Sequence, residues 1–188
     1  MVRLDSLTRF VIASAFIAAW AASPVRAQRV ANANAPAPRV PPAPSAPALR
    51  TALEARLRDL ALDPLCNAEG VASFRCEARV TPPGSTEPLT FRAVANDETR
   101  TVFLSVPDLA RAAPDAPRTP TLLRRLAELN WELLLGKLEW NAASGEVRLT
   151  LVLPTHGGLD RDALGVMVRA LVALAGRLGP ELRTIAAR

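Results

Sequence analysis

The chain reads as a single α+β domain in which an antiparallel sheet is covered on one face by helices. Three observations lead there. Leucines recur at helical spacing in three separate stretches. Between them lie five strand-like stretches, three of which alternate apolar and polar residues with a period of two. The strands come in runs, three then two, and their connections are too short for parallel crossovers. The predicted order is α-β-β-β-α-β-β-α, and about 140 residues after position 48 suit one core.

The first helix is predicted from Pro47 to Leu62. Leu49, Leu53, Leu57, Leu60 and Leu62 form its apolar face, Arg50, Glu54 and Arg58 the other, and Pro64 ends it. Phe74, Cys76, Ala78 and Val80 then alternate with Ser73, Arg75, Glu77 and Arg79, which predicts a half-buried strand. Pro82, Pro83 and Gly84 mark a turn. Leu89, Phe91, Ala93 and Ala95 supply a second strand and Thr101–Val106 a third. Residues Pro107 to Pro117 read as a polar loop.

Thr119 is the predicted N-cap of the second helix, with Pro120 at its first position. Leu122, Leu123, Leu126 and Leu129 are predicted to face inward, with Leu133 as a further candidate. A fourth strand is predicted over Leu134–Trp140 and a fifth over Glu146–Leu153, joined by a hairpin loop whose Gly145 suits a positive φ. The last helix follows Gly157 and Gly158, with Asp160 and Asp162 in its first turn and a stripe of Leu164, Met167, Leu171, Leu174 and Leu178. Gly179 and Pro180 are predicted to stop it.

Ahead of this domain the chain has a different character. Arg3 and Arg9 precede an apolar run of 13 residues, Phe10 to Ala22. Ser23 and Pro24 break it, and Val25 and Ala27 are small residues at −3 and −1 of a cleavage site. That layout predicts a secretory signal peptide over 1–27, with a mature chain beginning at Gln28 and exported to the periplasm or beyond. The run is shorter than the roughly 20 residues that span a bilayer, so membrane contact is expected only if the leader stays uncleaved, the alternative in which the chain is a membrane-tethered scaffold. Residues 28–48 are rich in Ala and Pro, with Pro36, Pro38, Pro41, Pro42, Pro44 and Pro47, and read as a disordered linker of extended character. The domain is predicted over 49–183, with a tail at 184–188.

Composition excludes some partners. Net charge is +5 over the whole chain, and removal of Arg3, Arg9, Arg26 and Asp5 with the leader lowers it to +3. The remaining charges are interspersed rather than gathered in the basic stripe that nucleic acid requires. Tyrosine is absent and aromatics are few, which leaves no stacking platform for single strands.

Candidate chemistry is sparse. Cys66 and Cys76 are the two cysteines. In an exported protein they read as a disulfide, the alternative being two buried thiols. Their spacing is not the C-x-x-C of a redox motif, and closing so short a loop stabilises by about 2–3 kcal/mol in the chain-entropy model. His156 is the sole histidine; without clustered cysteines or acids at ligand spacing, it reads as a turn residue at a helix entry rather than a metal ligand or general base. A small enzyme using His156 with a carboxylate (Glu139, Glu146 or Asp160) is the competing reading. No nucleophile elbow or phosphate-binding glycine loop is present. No catalytic, metal or cofactor residue and no small-molecule substrate is therefore assigned. Trp131 and Trp140 bracket the fourth strand, each read as a core anchor or as part of an interaction surface.

The segments LLRRLAELNW at 122–131, LGKLE at 135–139 and GEVRLTLVLP at 145–154 together resemble the YbjN family, which shares the fold of type III secretion chaperones. The resemblance implies a leucine-rich helix, a two-stranded return and a long final helix. It implies protein–protein interaction of a chaperone-like or regulatory kind, with a partner protein or a second copy, and brings no catalytic residues. The leader and the Ala/Pro segment lie outside that pattern.

Overall fold

Three helices and six strands make up residues 46–187, the part of the chain that the computed structural model describes. They are α1 (Ala46–Asp59), β1 (Leu65–Ala68), β2 (Ser73–Val80), β3 (Leu89–Asn96), β4 (Thr101–Arg111), α2 (Thr119–Glu132), β5 (Lys137–Trp140), β6 (Glu146–Pro154) and α3 (Arg161–Ala187). The fold class is the predicted one, with one strand more before α2. The leader and nearly all of the Ala/Pro segment lie outside the described residues; the last three residues of that segment, 46–48, are the first turn of α1.

All strands pair antiparallel in the order β1-β2-β3-β4-β6-β5. The register fixes two faces. Cys76, Ala93, Leu104 and Leu151 lie in one row across the sheet, and Phe74, Ala95, Val102 and Leu153 in the next. Most of these side chains are buried, together with Leu53 and Leu57 of α1, Leu122 of α2, and Leu164, Leu171 and Leu182 of α3. This is the helix-covered face. The opposite face carries Arg75, Glu77, Arg92, Arg148 and Glu139 around Val94, Phe103 and Val152. Glu77 pairs with Arg92 at 2.7 Å and Glu139 with Arg148 at 2.8 Å, and the Arg148 guanidinium lies over the Phe103 ring. Such exposed pairs are each worth at most about 1 kcal/mol.

Predicted boundaries move, each for a physical reason. α1 stops at Asp59 rather than Leu62. Ala61 takes a left-handed conformation (φ 59°), and the Leu62 N–H donates back to the Leu57 carbonyl, which closes the helix with Leu62 against the core. β4 does not end at Pro107 but runs to Arg111. Val106 pairs with Leu149 and Ala110 with Val147, so Pro107–Leu109 bulge opposite Arg148. A bulge removes the need for the proline's missing N–H, and it returns Leu109 to the core with no exposure. Arg118, not Thr119, is the N-cap of α2; the Thr119 hydroxyl is buried and donates to the Ala113 carbonyl. Finally, α3 runs through Gly179 and Pro180 to Ala187. Leu178, Gly179 and Leu182 continue its buried stripe, and Arg125 of α2 pairs with Glu181 at 2.6 Å. Packing of that stripe outweighs the hydrogen bond that Pro180 cannot donate.

At the start of α3 the Asp160 carboxylate accepts from the Ala163 N–H at 2.7 Å, so Asp160 is a cap rather than a first-turn residue. Gly145 has φ 70°, as its place in the hairpin requires.

Candidate interaction surface

The last turn of α2 is where the sequence leaves apolar side chains in water. Leu122, Leu126 and Leu129 point into the core, which turns Leu123, Ala127 and Trp131 outward at four-residue spacing; Leu123 is therefore exposed rather than inward as predicted, because it follows Leu122 by only one position on the helix. Trp131 is 91 % exposed. Leu133 leaves the helix with ψ 119°, and the connection to β5 carries Leu134, 98 % exposed, and Leu135. β5 begins pairing only at Lys137, opposite Thr150. The strand predicted to start at Leu134 therefore starts three residues later. Gly136 (φ 74°) sets that start, since a Cβ there would sit 2.8 Å from the Thr150 carbonyl oxygen. Beyond Thr150, β6 projects past β5, and half-exposed Val152 joins Leu134 and Leu135 in lining a shallow groove with Met167.

Asn130 frames this surface. Its side-chain oxygen accepts from the Leu138 N–H at 2.7 Å, and its amide donates to the Leu138 carbonyl at 3.0 Å. One side chain thus satisfies the outward N–H and C=O of Leu138 on the edge strand β5 and ties α2 beside it. Asn130→Ala is expected to lower stability by about 2 kcal/mol, the loss of two hydrogen bonds at a half-buried strand. Chemical denaturation measures it; a change below about 0.5 kcal/mol contradicts this role.

The two tryptophans differ. Trp140 is half-buried against the core and donates its indole N–H to the Ala112 carbonyl at 3.0 Å. Trp131 is the tryptophan that faces solvent. Cys66 and Cys76 are direct partners across β1 and β2 and are joined as a disulfide. Cys66 thus lies on a strand of its own, β1, rather than in a loop ahead of β2.

His156 is exposed between β6 and α3. The acidic residues do not converge on it. Asp160 caps α3, and Glu139 is held by Arg148 and Lys137. Partial burial pushes the Glu139 carboxyl up, but those two hydrogen-bonding cations outweigh it and hold it below the ordinary carboxylate value. Among the described residues, no group of three or more His, Cys, Asp or Glu side chains gathers as a metal site.

The family model YbjN, described as "Putative bacterial sensory transduction regulator", matches residues 65–184. That span is more than half of the chain. The chain belongs to the YbjN family. Three solved structures are similar to it at low identity. The structure titled "Crystal structure of YbjN, a putative transcription regulator from E. coli" is 13 % identical, with a TM-score of 0.42 over 66 % of this chain and 86 % of that one. The "HopA1-SchA Chaperone-Effector Complex" is 15 % identical, with a TM-score of 0.46 over 69 % and 91 %. The "ExsC-ExsE Complex" is 13 % identical, with a TM-score of 0.42 over 57 % and 77 %. No curated protein matches the chain.

The segments that carried the sequence resemblance, 122–131, 135–139 and 145–154, fall within the matched span. They build α2, β5 and β6, the elements around the exposed apolar surface. Leu134, Leu135 and Asn130 are the surface residues that periodicity alone missed. The available signal was a leucine run longer than the helix needs, interrupted by one asparagine.

Proposed function

We propose that this chain is an exported, non-enzymatic protein-interaction domain, and that its own second copy is the partner seated on the surface around Trp131. The observation that carries the reading is the near-complete exposure of Trp131 and Leu134, three residues apart in the last turn of α2 and the connection that follows it. An aromatic side chain alone presents about 150–250 Å². With the exposed side chains of Leu134, Leu135, Val152 and Leu123 the apolar area at this end of the domain is on the order of 500 Å², in the upper range for a monomer. Two such patches face to face, with their polar rims, approach the roughly 1,200 Å² of a specific interface. A two-fold contact needs one patch that is its own complement.

The leader-like segment supports export, and the Cys66–Cys76 disulfide fits an oxidising compartment. The exposed position of His156, with Glu139 and Asp160 engaged elsewhere, favours binding over acid–base chemistry.

Sedimentation velocity tests the pairing. The purified protein is expected to be dimeric at micromolar concentration. Trp131→Asp is expected to be monomeric, with its melting temperature moved by no more than about 2 °C, because a surface side chain contributes little to the monomer's own fold. A monomeric wild type overturns the self-association reading, as a partner of another kind would leave the purified chain alone in solution. A dimer indifferent to Trp131→Asp places the contact elsewhere.

A further inference from the structure

We propose that the Cys66–Cys76 bond is a redox latch on one edge of the sheet: oxidised, it holds β1 over the main-chain edge of β2, and reduced by a dithiol, it lets β1 go while the rest of the domain stays folded. The inference stands apart from the surface around Trp131, because β1 and β5 are opposite edges of the sheet.

β1 is lightly held. It has four residues and meets β2 far more extensively than any other element. Leu65 is 76 % exposed, Asn67 and Ala68 are exposed, and only Cys66 is half-buried. Cys66 is the one side chain of this strand that packs against the core, and it is only half-buried there. Its attachments are its short ladder with β2, the Glu69–Arg75 ion pair and the disulfide. By contrast the opposite edge, β5, is secured by Leu138 in the core and by Asn130 on its main chain.

The ladder's phase says what release would uncover. The Glu69 N–H donates to the Ser73 carbonyl at 2.8 Å. Bonded and non-bonded pairs alternate along an antiparallel ladder. Asn67 and Arg75, and Leu65 and Glu77, are therefore the bonded pairs, and Cys66 and Cys76 a non-bonded one. Without β1, the main-chain groups of Ser73, Arg75 and Glu77 lie open in line with those of Arg79, past the end of β1. An open edge of that length accepts an extended strand from another chain.

The sulfurs differ in access. Cys76 is fully buried and Cys66 is not. A reductant of the thiol–disulfide oxidoreductase class would attack Cys66 Sγ with one thiolate. The S–S bond breaks, and Cys76 leaves as a thiolate and takes up a proton. The reductant's second thiolate then attacks its own sulfur in the mixed disulfide, and Cys66 leaves and is protonated. Two protein thiols and the reductant's disulfide are the products, so two electrons and two protons pass to the protein.

Hydrogen exchange on the full chain, oxidised and in dithiothreitol, tests the latch. Amides of residues 65–69 and the β1-facing amides of 73–77 are expected to exchange at least about tenfold faster after reduction, while those of β4, β6 and α3 keep their protection. Cys66→Ser with Cys76→Ala should reproduce the reduced pattern without reductant. Unchanged protection of β1 after reduction overturns the proposal, as does joint loss of protection across the whole sheet. A bond that dithiothreitol reduces only in denaturant overturns it as well.

Discussion

Leu171→Asp is expected to leave no stable folded protein. Leu171 is 1 % exposed at the middle of α3, the helix that packs most broadly on the sheet, chiefly against β4. Aspartate there removes a large apolar side chain and buries a carboxylate for which the surrounding leucines and valines offer no partner. The two losses together come to about 5 kcal/mol or more. A domain of this size has about 5–15 kcal/mol in all. Circular dichroism should show no cooperative transition, or one at much lower temperature. Val166→Asp is the control on the same helix. Val166 is half-exposed, and the substitution should cost no more than about 1 kcal/mol. Equal behaviour of the two variants would mean that α3 does not pack on the sheet as described.

The same helix shows what the sequence makes legible. Leu164, Leu171 and Leu178 recur at seven-residue spacing, and all three are buried. Periodicity reports burial, so the strand alternation of β2, β3 and β6 was equally readable. Terminators are less reliable, because a local rule competes with packing beyond the window. Pro180 breaks an isolated helix, yet Leu182 beyond it is fully buried and holds the last two turns in place. Pro107 breaks a flat strand, yet a bulge absorbs it. β1 was invisible for the opposite reason. Leu-Cys-Asn-Ala has no buried alternation to read, since the strand is held by pairing and a disulfide rather than by a core face. The interaction surface was half legible. Trp131 stood out by type, but Leu134 and Leu135 looked like the start of a strand. Only the delayed pairing at Lys137 leaves them in solvent.

Gly176→Val is expected to be the most disruptive glycine substitution within a helix. Gly176 lies on the face of α3 that meets Pro82, in the turn after β2. A Cβ at 176 would lie 2.4 Å from the Pro82 Cβ and 3.0 Å from its Cγ. The pyrrolidine ring cannot swing aside as a long side chain can. The clash must be relieved by moving either α3 or the β2–β3 turn, both of which are tied to the core. In an unhindered helix, replacing glycine by alanine stabilises by about 1 kcal/mol. Here the sign should invert, with Gly176→Ala costing about 1–2 kcal/mol and Gly176→Val about 3 kcal/mol through overpacking. At about 4 °C per kcal/mol for a domain of this length, the valine variant should melt more than 10 °C lower. Pro82→Gly removes the obstructing Cβ, so adding it to Gly176→Ala should recover at least about 1 kcal/mol relative to the sum of the single changes. Simple additivity in that cycle would show that the two residues do not touch, and would move α3 away from the turn that holds Pro82.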